Sequence, residues 1–303
     1  MSELVSVIIP AFNVGRYIGQ AIESVLNQTY KNVELLIIDD GSSDDTAFVV
    51  ESYGDKRIKL LRNEENKGPS YSRNRGIAKA AGAWVAILDA DDWWAEKRLE
   101  TLIELAARSK AGIVSDNILL IYDGAKTSHA NYLKSRESII GKKDAEFQVS
   151  PIQMIREDYG YLQPVIRTSL IREKELLYSD KLLHGEDFRF LLECIIAGGE
   201  MSVTSEALYY YRIRPASLTS SDHREHALRS QLNSIAELLL KYGEDQGMRE
   251  ALRRYQRKKD IQLSEYLINQ RVKEKKFLSI PALLFSCPLV IVPLTRNVVT
   301  KLK

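Results

Sequence analysis

Asp89, Asp91 and Asp92 fall within four positions at the end of an apolar run, Trp84-Val85-Ala86-Ile87-Leu88. Hard oxygen ligands so placed suit Mg2+ or Mn2+, which keep several waters and bind through one or two carboxylates plus the phosphates of a substrate. A second acidic pair, Asp39-Asp40, closes another apolar run at residues 33–38 and leads into Gly41-Ser42-Ser43-Asp44. Together the two acidic ends could assemble a nucleotide-diphosphate site, with one carboxylate bonding base or ribose and another holding a metal against the phosphates. The plainer reading of the first stretch is a helix N-terminus, where Asp is favoured as a cap and by the helix dipole. A third constellation is His184-Gly185-Glu186-Asp187-Phe188-Arg189-Phe190. It too fits a helix start, yet a carboxylate held near an apolar wall gains proton affinity and can serve as a general base. Finally, Leu208-Tyr209-Tyr210-Tyr211-Arg212-Ile213-Arg214 reads either as an amphipathic edge strand or as two same-face arginines able to grip a phosphate.

These residues need a scaffold that brings strand ends together. Residues 5–10 form a β-branched run stopped by Pro10, with Asn13 and Gly15 as turn residues, and residues 16–28 carry Ile18, Ile22, Val25 and Leu26 on one helical face. Strands follow at 33–38, 58–61 and 84–88, with helices at about 44–50 and 70–81, the second ending at Gly82. This alternation predicts crossover units and a mainly parallel, doubly wound α/β sheet. Ligands of such sheets lie beyond the carboxyl ends of the strands, where the acids stand. Beyond them a helix is expected at 96–108, a strand at 112–115 with Asp116 at its end, and another at 118–122. Residues 123–149 are polar and poorly patterned and read as a mobile loop, a candidate substrate lid.

Composition narrows the class. A formal net charge of +2 gives no footprint for nucleic acid, but it conceals an asymmetry: residues 224–303 hold 16 Lys+Arg against 8 Asp+Glu, which leaves the first 223 residues at −6. Two cysteines, Cys194 and Cys287, make no disulfide framework, and Met-Ser-Glu-Leu starts no secretory signal, so a cytoplasmic setting is expected. The four histidines show no zinc spacing. No GxxxxGK[ST] loop occurs, and Ala11-Phe12-Asn13-Val14-Gly15 stands where a GxGxxG would open the first helix.

In this order and spacing the pieces resemble the family 2 inverting glycosyltransferases with the GT-A fold, which build bacterial exopolysaccharide, capsule and lipopolysaccharide sugars. The resemblance covers residues 4–219. It rests on Val5-Ser6-Val7-Ile8-Ile9-Pro10-Ala11-Phe12-Asn13, on Ile37-Ile38-Asp39-Asp40-Gly41-Ser42-Ser43-Asp44, and on Asn66-Lys67-Gly68-Pro69-Ser70-Tyr71-Ser72-Arg73-Asn74-Arg75-Gly76-Ile77. Leu88-Asp89-Ala90-Asp91-Asp92 and Gly185-Glu186-Asp187 continue it, and Tyr161-Leu162-Gln163-Pro164-Val165-Ile166-Arg167 looks like the succinoglycan-type subgroup. The resemblance implies a nucleotide-sugar donor, a glycan or lipid-linked glycan acceptor, and Mg2+ or Mn2+. It implies that Pro10, Ala11, Phe12 and Asn13 hold the nucleoside and that Asp40, with Asp39 beside it, bonds a uracil-type edge. Lys67 and Arg73 would run past the donor, and Asp89, Asp91 and Asp92 would form the ribose and metal clamp, with either Asp91 or Asp92 as direct ligand. Asp187 matches the catalytic base with Glu186 as its neighbour, and Arg212 and Arg214 would steady the diphosphate. A sugar nucleotidyltransferase, or a non-catalytic nucleotide-sugar binding protein, are the alternatives; the first normally opens with a glycine-rich loop bearing Arg and Lys, which is absent.

The expected organisation is a catalytic domain over residues 1–220 and a basic helical extension over 221–303. Within the extension, residues 277–295 carry no charge and have basic flanks. Pro281, Pro288 and Pro293 would interrupt a spanning helix, so an interfacial or re-entrant anchor at the inner face of the membrane fits better. The competing reading packs these helices on the catalytic domain or pairs them in a homodimer.

Overall fold

The computed structural model describes residues 2–182, 184–214 and 224–273. Among them the strands are β1 (Val5–Ala11), β2 (Val33–Asp39), β3 (Ile58–Arg62), β4 (Trp84–Ile87), β5 (Trp93–Trp94), β6 (Ile113–Tyr122), β7 (Ala130–Asn131), β8 (Glu146–Val149), β9 (Val165–Arg167) and β10 (Met201–Ile213). The helices are α1 (Gly15–Leu26), α2 (Thr46–Glu51), α3 (Pro69–Lys79), α4 (Arg98–Ser109), α5 (Tyr132–Ser135), α6 (Glu137–Ile140), α7 (Pro151–Glu157), α8 (Thr168–Glu173), α9 (Glu186–Gly198), α10 (Arg224–Tyr242) and α11 (Gln246–Lys273). The chain divides into two compact units: Met1–Lys181 with Glu186–Pro215, and Leu182–Gly185 with Ala216–Lys303. The boundary expected at 220/221 lies outside the described residues.

In the first unit one sheet runs β3-β2-β1-β4-β9-β6-β10-β5, with β7 added to β6 and β8 to β10. The pairs β1·β2, β1·β4, β2·β3 and β6·β10 are parallel, whereas β9 runs antiparallel to both β4 and β6. Every residue of β2 and β4 is buried, which explains their unbroken apolar pattern: both faces of the sheet are covered by helices. Helix α1 buries Ile18, Ala21, Ile22 and Val25, the stripe its spacing predicts. Helix α3 approaches β1 closely because Gly76 has no side chain; a Cβ there would overlap Ile8. The pairing register sets Ala11 opposite Asp39 and Ile8 opposite Ile87. Consequently the acidic segments after β2 and β4 and the loop after β1 emerge side by side.

Three expectations are corrected. Residues 113–122 form one strand rather than two, so Asp116 sits inside β6, not at a strand end. It is buried and accepts from Arg98 Nε at 3.0 Å and Nη2 at 2.8 Å, while the guanidinium lies 4.4 Å from the Trp94 ring centroid and 5.2 Å from that of Tyr209. Burial raises the Asp116 carboxyl despite Arg98, and this pair fixes α4 against the sheet. Residues 123–149 are also structured: β7, α5, α6 and β8 follow one another there. Their pattern is weak because each element is too short to show a period and is tied by side chains instead. Asn117 Oδ1 accepts from Leu133 N at 3.1 Å and Asn117 Nδ2 donates to Asn131 Oδ1 at 2.7 Å. Lastly, β10 has β6 on one side and, on the other, β8 at Met201–Thr204 and β5 at Tyr209–Tyr210, so it is an edge strand over only part of its length.

In the second unit α10 and α11 pack on one another, burying Leu228, Ile235 and Leu238 from the first helix and Met248, Leu252, Tyr255, Leu263 and Ile268 from the second. Leu240 is 88% exposed, off the face that Leu228, Ile235 and Leu238 share. No helix of the described residues is long and apolar enough to cross a membrane. The segment 277–295 lies outside those residues.

Candidate active site

The loop after β1 and the loop after β2 are stitched together. Asn13, at a positive φ of 51° that Asn tolerates well, accepts from Ser43 N at 2.9 Å through Oδ1. Asn13 N donates to Ser42 Oγ at 3.0 Å, and Gly15 N to Asp44 Oδ2 at 3.0 Å. This bracing leaves Pro10 half-buried and Ala11 buried and turns the Phe12 ring outward. Asp39 and Asp40 are both buried and both engaged. Asp39 accepts from Ser42 N at 3.0 Å and Arg62 Nε at 3.1 Å. Asp40 accepts from Asn63 Nδ2 at 2.5 Å, Lys67 N at 3.0 Å and Gly68 N at 2.8 Å. Asp40 therefore anchors the 63–68 loop with both oxygens. Lys67 is exposed, its Nζ 5.1 Å from the Tyr71 ring centroid.

The segment after β4 meets the far end of β10. Asp92 is 2% exposed; its Oδ1 accepts from Arg212 N at 2.7 Å and its Oδ2 from Tyr209 Oη at 2.8 Å. Burial, reinforced by the charges of Asp91 and Asp89, pushes its carboxyl well up. Asp91 accepts from Arg214 Nε at 2.6 Å through Oδ2, and burial together with Asp89 raises it against the pull of Arg214. Arg212 is an internal strut. It donates to the Asp91 carbonyl at 2.6 Å, to Asp123 Oδ1 at 2.9 Å and to Gln20 Oε1 at 2.5 Å, and stacks 4.7 Å from the Trp93 ring centroid and 5.1 Å from that of Tyr17. Arg212 thus spends Nε, Nη1 and Nη2 on partners within the protein, whereas Arg214 bonds the Asp91 carboxylate.

Arg73 connects the acidic segment to the start of α9. Only 4% exposed on α3, it lies 3.0 Å from Asp89 Oδ1 through Nη2, and 3.1 Å from Glu186 Oε1 and 3.3 Å from Asp187 Oδ1 through Nη1. Its guanidinium also sits 5.2 Å from the centroid of the Tyr178 ring, which stacks on Phe190 at 4.0 Å. Arg73 Nε has no hydrogen-bond partner among the described residues. Gly185, at φ 85°, makes the turn that starts α9 at Glu186. Asp187 keeps 32% of its side chain exposed. Burial, with Glu186 and Asp89, overcomes Arg73 and pushes its proton affinity up to about 7. A carboxyl so placed exchanges a proton near neutral pH, the requirement for a general base. Glu186, beside it, accepts from Arg73 Nη1 at 3.1 Å through Oε1.

Several of these contacts had no signal in the sequence. Gln20 and Asp123 lie 192 and 89 positions from Arg212, and nothing in their neighbourhood marks them. Tyr209 could have been singled out, because a polar-tipped ring repeated through Tyr209-Tyr210-Tyr211 must place its hydroxyls on partners when buried.

Among the described residues no group of three or more His, Cys, Asp or Glu forms a metal cage. Mg2+ and Mn2+ do not need one when a substrate diphosphate supplies the remaining oxygens. Burial first, and then the neighbouring acids, raises Asp91 and Asp92; a divalent cation would offset the charge crowding among these carboxylates, so the segment fits such an ion.

A nucleotide-type α/β sheet with acids at its strand ends is the class that fold and site define. The family described as "Glycosyl transferase family 2" matches residues 6–159, and the chain belongs to it. A succinoglycan biosynthesis protein, ExoO, of Rhizobium meliloti (strain 1021) is 30% identical over 73% of this chain, a match that spans 64% of that protein's length and so under two thirds of it. The Escherichia coli UDP-Glc:alpha-D-GlcNAc-diphosphoundecaprenol beta-1,3-glucosyltransferase WfgD is 33% identical over 73% of this chain and 82% of its own length. Among solved structures, Staphylococcus aureus TarS 1-349 in complex with UDP-GlcNAc superposes with a TM-score of 0.66 at 22% identity, covering 88% of this chain and 72% of that one. The mannosyltransferase PcManGT of Pyrobaculum calidifontis, in complex with GDP-Man and Mn2+, gives 0.65 at 18% identity over 100% and 81%. At those identities the likeness establishes the shared GT-A type fold.

Proposed function

We propose that the protein transfers a sugar from a nucleotide-diphosphate sugar, a UDP-sugar first, to a hydroxyl of a glycan or lipid-linked glycan in cell-surface polysaccharide biosynthesis, with inversion at the anomeric carbon. The observation that carries this reading is Asp187: a carboxylate with proton affinity near 7, partly open to solvent, and joined through Arg73 to Asp89 of the acidic segment. The UDP-glucose-dependent glucosyltransferase activity of WfgD and the part of ExoO in succinoglycan biosynthesis support the donor and the pathway class.

In this account Phe12 and Asn13 border the nucleoside, while Pro10, Ala11, Asp39 and Asp40 shape its pocket from beneath. Lys67 and Arg214 are the cations at its rim, and Asp89 faces the ribose. Asp187 takes the proton of the acceptor hydroxyl as that oxygen attacks the anomeric carbon and the bond to the diphosphate breaks. Arg214 offsets the charge gained by the departing diphosphate. A bound Mg2+ or Mn2+ would add Lewis-acid neutralisation of the same charge. Asp91 would hold that ion directly, since both oxygens of Asp92 are engaged within the protein and Asp92 acts by positioning.

The two acids separate on calorimetry with UDP and Mn2+. Asp91→Ala is expected to abolish the dependence of UDP affinity on Mn2+. Asp92→Ala keeps that dependence and weakens metal affinity about 10–100-fold, the range for a residue behind a ligand. The reverse pattern would make Asp92 the ligand. A panel of nucleotide sugars tests the activity itself: the reading expects release of a nucleoside diphosphate, whereas pyrophosphate chemistry would identify a nucleotidyltransferase.

The basic C-terminal unit and the apolar segment 277–295 are assigned to peripheral contact with anionic lipid at the inner membrane face. Salt-sensitive pelleting of the full chain with phosphatidylglycerol vesicles, lost on removal of residues 277–303, is the expected result. Pelleting that survives the truncation would remove the segment from this role, and a homodimer that the truncation dissociates would assign it to self-association.

A further inference from the structure

We infer that Tyr161 and Tyr211 form an aromatic platform that receives the apolar face of the acceptor saccharide beside Asp187; this rests on the glycosyltransfer reading above. Tyr161 is 51% exposed, although the residue next to it, Leu162, and the neighbouring Tyr132 are buried. The Tyr161 ring lies 6.5 Å from that of Tyr211 at 79° and 5.7 Å from that of Tyr132. Tyr132 thus holds one side of the ring in the core while another stays open.

Two connections place this pair at the site. On one side, Gly160 lies flat against Phe188, where an added Cβ would stand 2.8 Å from Cδ2, and Phe188 directly follows Asp187. On the other, β10 pairs regularly with β6 from Tyr209↔Ile118 to Ile213↔Tyr122, so Tyr211 shares a strand face with Tyr209, whose hydroxyl donates to Asp92. In the sheet, β1 and β2 with their nucleoside loops lie on one side of β4; β9, which follows Tyr161, and β10 lie on the other. The acidic segment after β4 stands between. The platform is therefore on the side away from the nucleoside, where an attacking hydroxyl must approach a base.

A pyranose has a face of C–H bonds ringed by hydroxyls. Laid on an aromatic plane, it withdraws that face from water while the hydroxyls stay solvated, one of them free to meet Asp187. Buried aromatic residues need no such explanation, but an exposed ring held edge-on by a second tyrosine at a sugar-transfer site does.

Saturation-transfer NMR on the full chain loaded with UDP and Mg2+ tests this with a panel of methyl glycosides of glucose, galactose, N-acetylglucosamine, mannose and rhamnose, which carry no lipid. At least one should show transfer that falls about fivefold or more in Tyr161→Ala and in Tyr161→Leu, the scale of one aromatic contact. Tyr161→Phe, which keeps the ring, should retain it, and UDP affinity should be the same in all four proteins. No transfer to any glycoside in the wild type, or equal transfer in Tyr161→Ala or Tyr161→Leu and the wild type, overturns the platform while UDP binding persists. A wild type that does not bind UDP overturns the glycosyltransfer reading instead.

Discussion

Replacing Asp187 with Asn is expected to lower turnover by about 10²–10⁴-fold, the range of a general base, with UDP affinity in the presence of Mn2+ nearly unchanged. The asymmetry follows from the geometry. Asp187 belongs to α9, touches Arg73, and keeps a third of its side chain open; Asn preserves shape and polarity there but cannot accept the proton. The wild-type pH profile carries the same signature. Because burial, Glu186 and Asp89 raise Asp187 to about 7, the base is protonated and idle below neutrality, and kcat/KM should rise with pH through about 7 and level off above it. In Asp187→Asn that limb should disappear. Turnover within a few-fold of wild type in this variant would remove Asp187 from the role.

The second large effect is expected from Arg73→Met, measured as stability and as a pH profile. Arg73 is a buried cation facing Asp89, Glu186 and Asp187 at 3.0–3.3 Å. Removing one member of a buried ionic cluster leaves charge uncompensated and costs about 3–5 kcal/mol. The lower end applies, since Asp187 retains solvent. The sign with pH is fixed by Asp187. Its folded proton affinity already exceeds its ordinary value, so the folded state holds more protons than the unfolded one between about 4 and 7, and this group's contribution to stability falls as pH rises through that window. Losing Arg73, which lowers that affinity, carries the loss to higher pH. Thermal melting should therefore show a larger deficit for Arg73→Met at pH 8 than at pH 5, and its residual activity should have an acid limb above the wild-type one. A limb at the wild-type pH would mean that Arg73 does not act on Asp187.

Much of this architecture could be read from the chain. Runs such as Val7-Ile8-Ile9 and Leu35-Leu36-Ile37-Ile38 have no polar alternation because they are covered on both faces, and the acids that stop them mark the strand ends. What escaped was pairing across long separations. Arg73 reads as one basic residue in a polar helix, and only folding sets it against Glu186, 113 positions away. Asp40 reads as a free acceptor, but Lys67 N and Gly68 N close on it. Arg212 and Arg214 share a face by their spacing, yet Asp123 and Gln20 capture the first. The 123–149 region is opaque for another reason: its short elements are fixed by Asn117 rather than by an apolar stripe.

Inversion by direct attack with Asp187 as base is read from the anomer formed first in donor turnover. With Mn2+ and an α-linked UDP-sugar from the panel, proton NMR should record UDP together with a β-configured sugar in the product, before any mutarotation, in wild type and not in Asp187→Asn. A product of retained α configuration, or undiminished β product from Asp187→Asn, would contradict it.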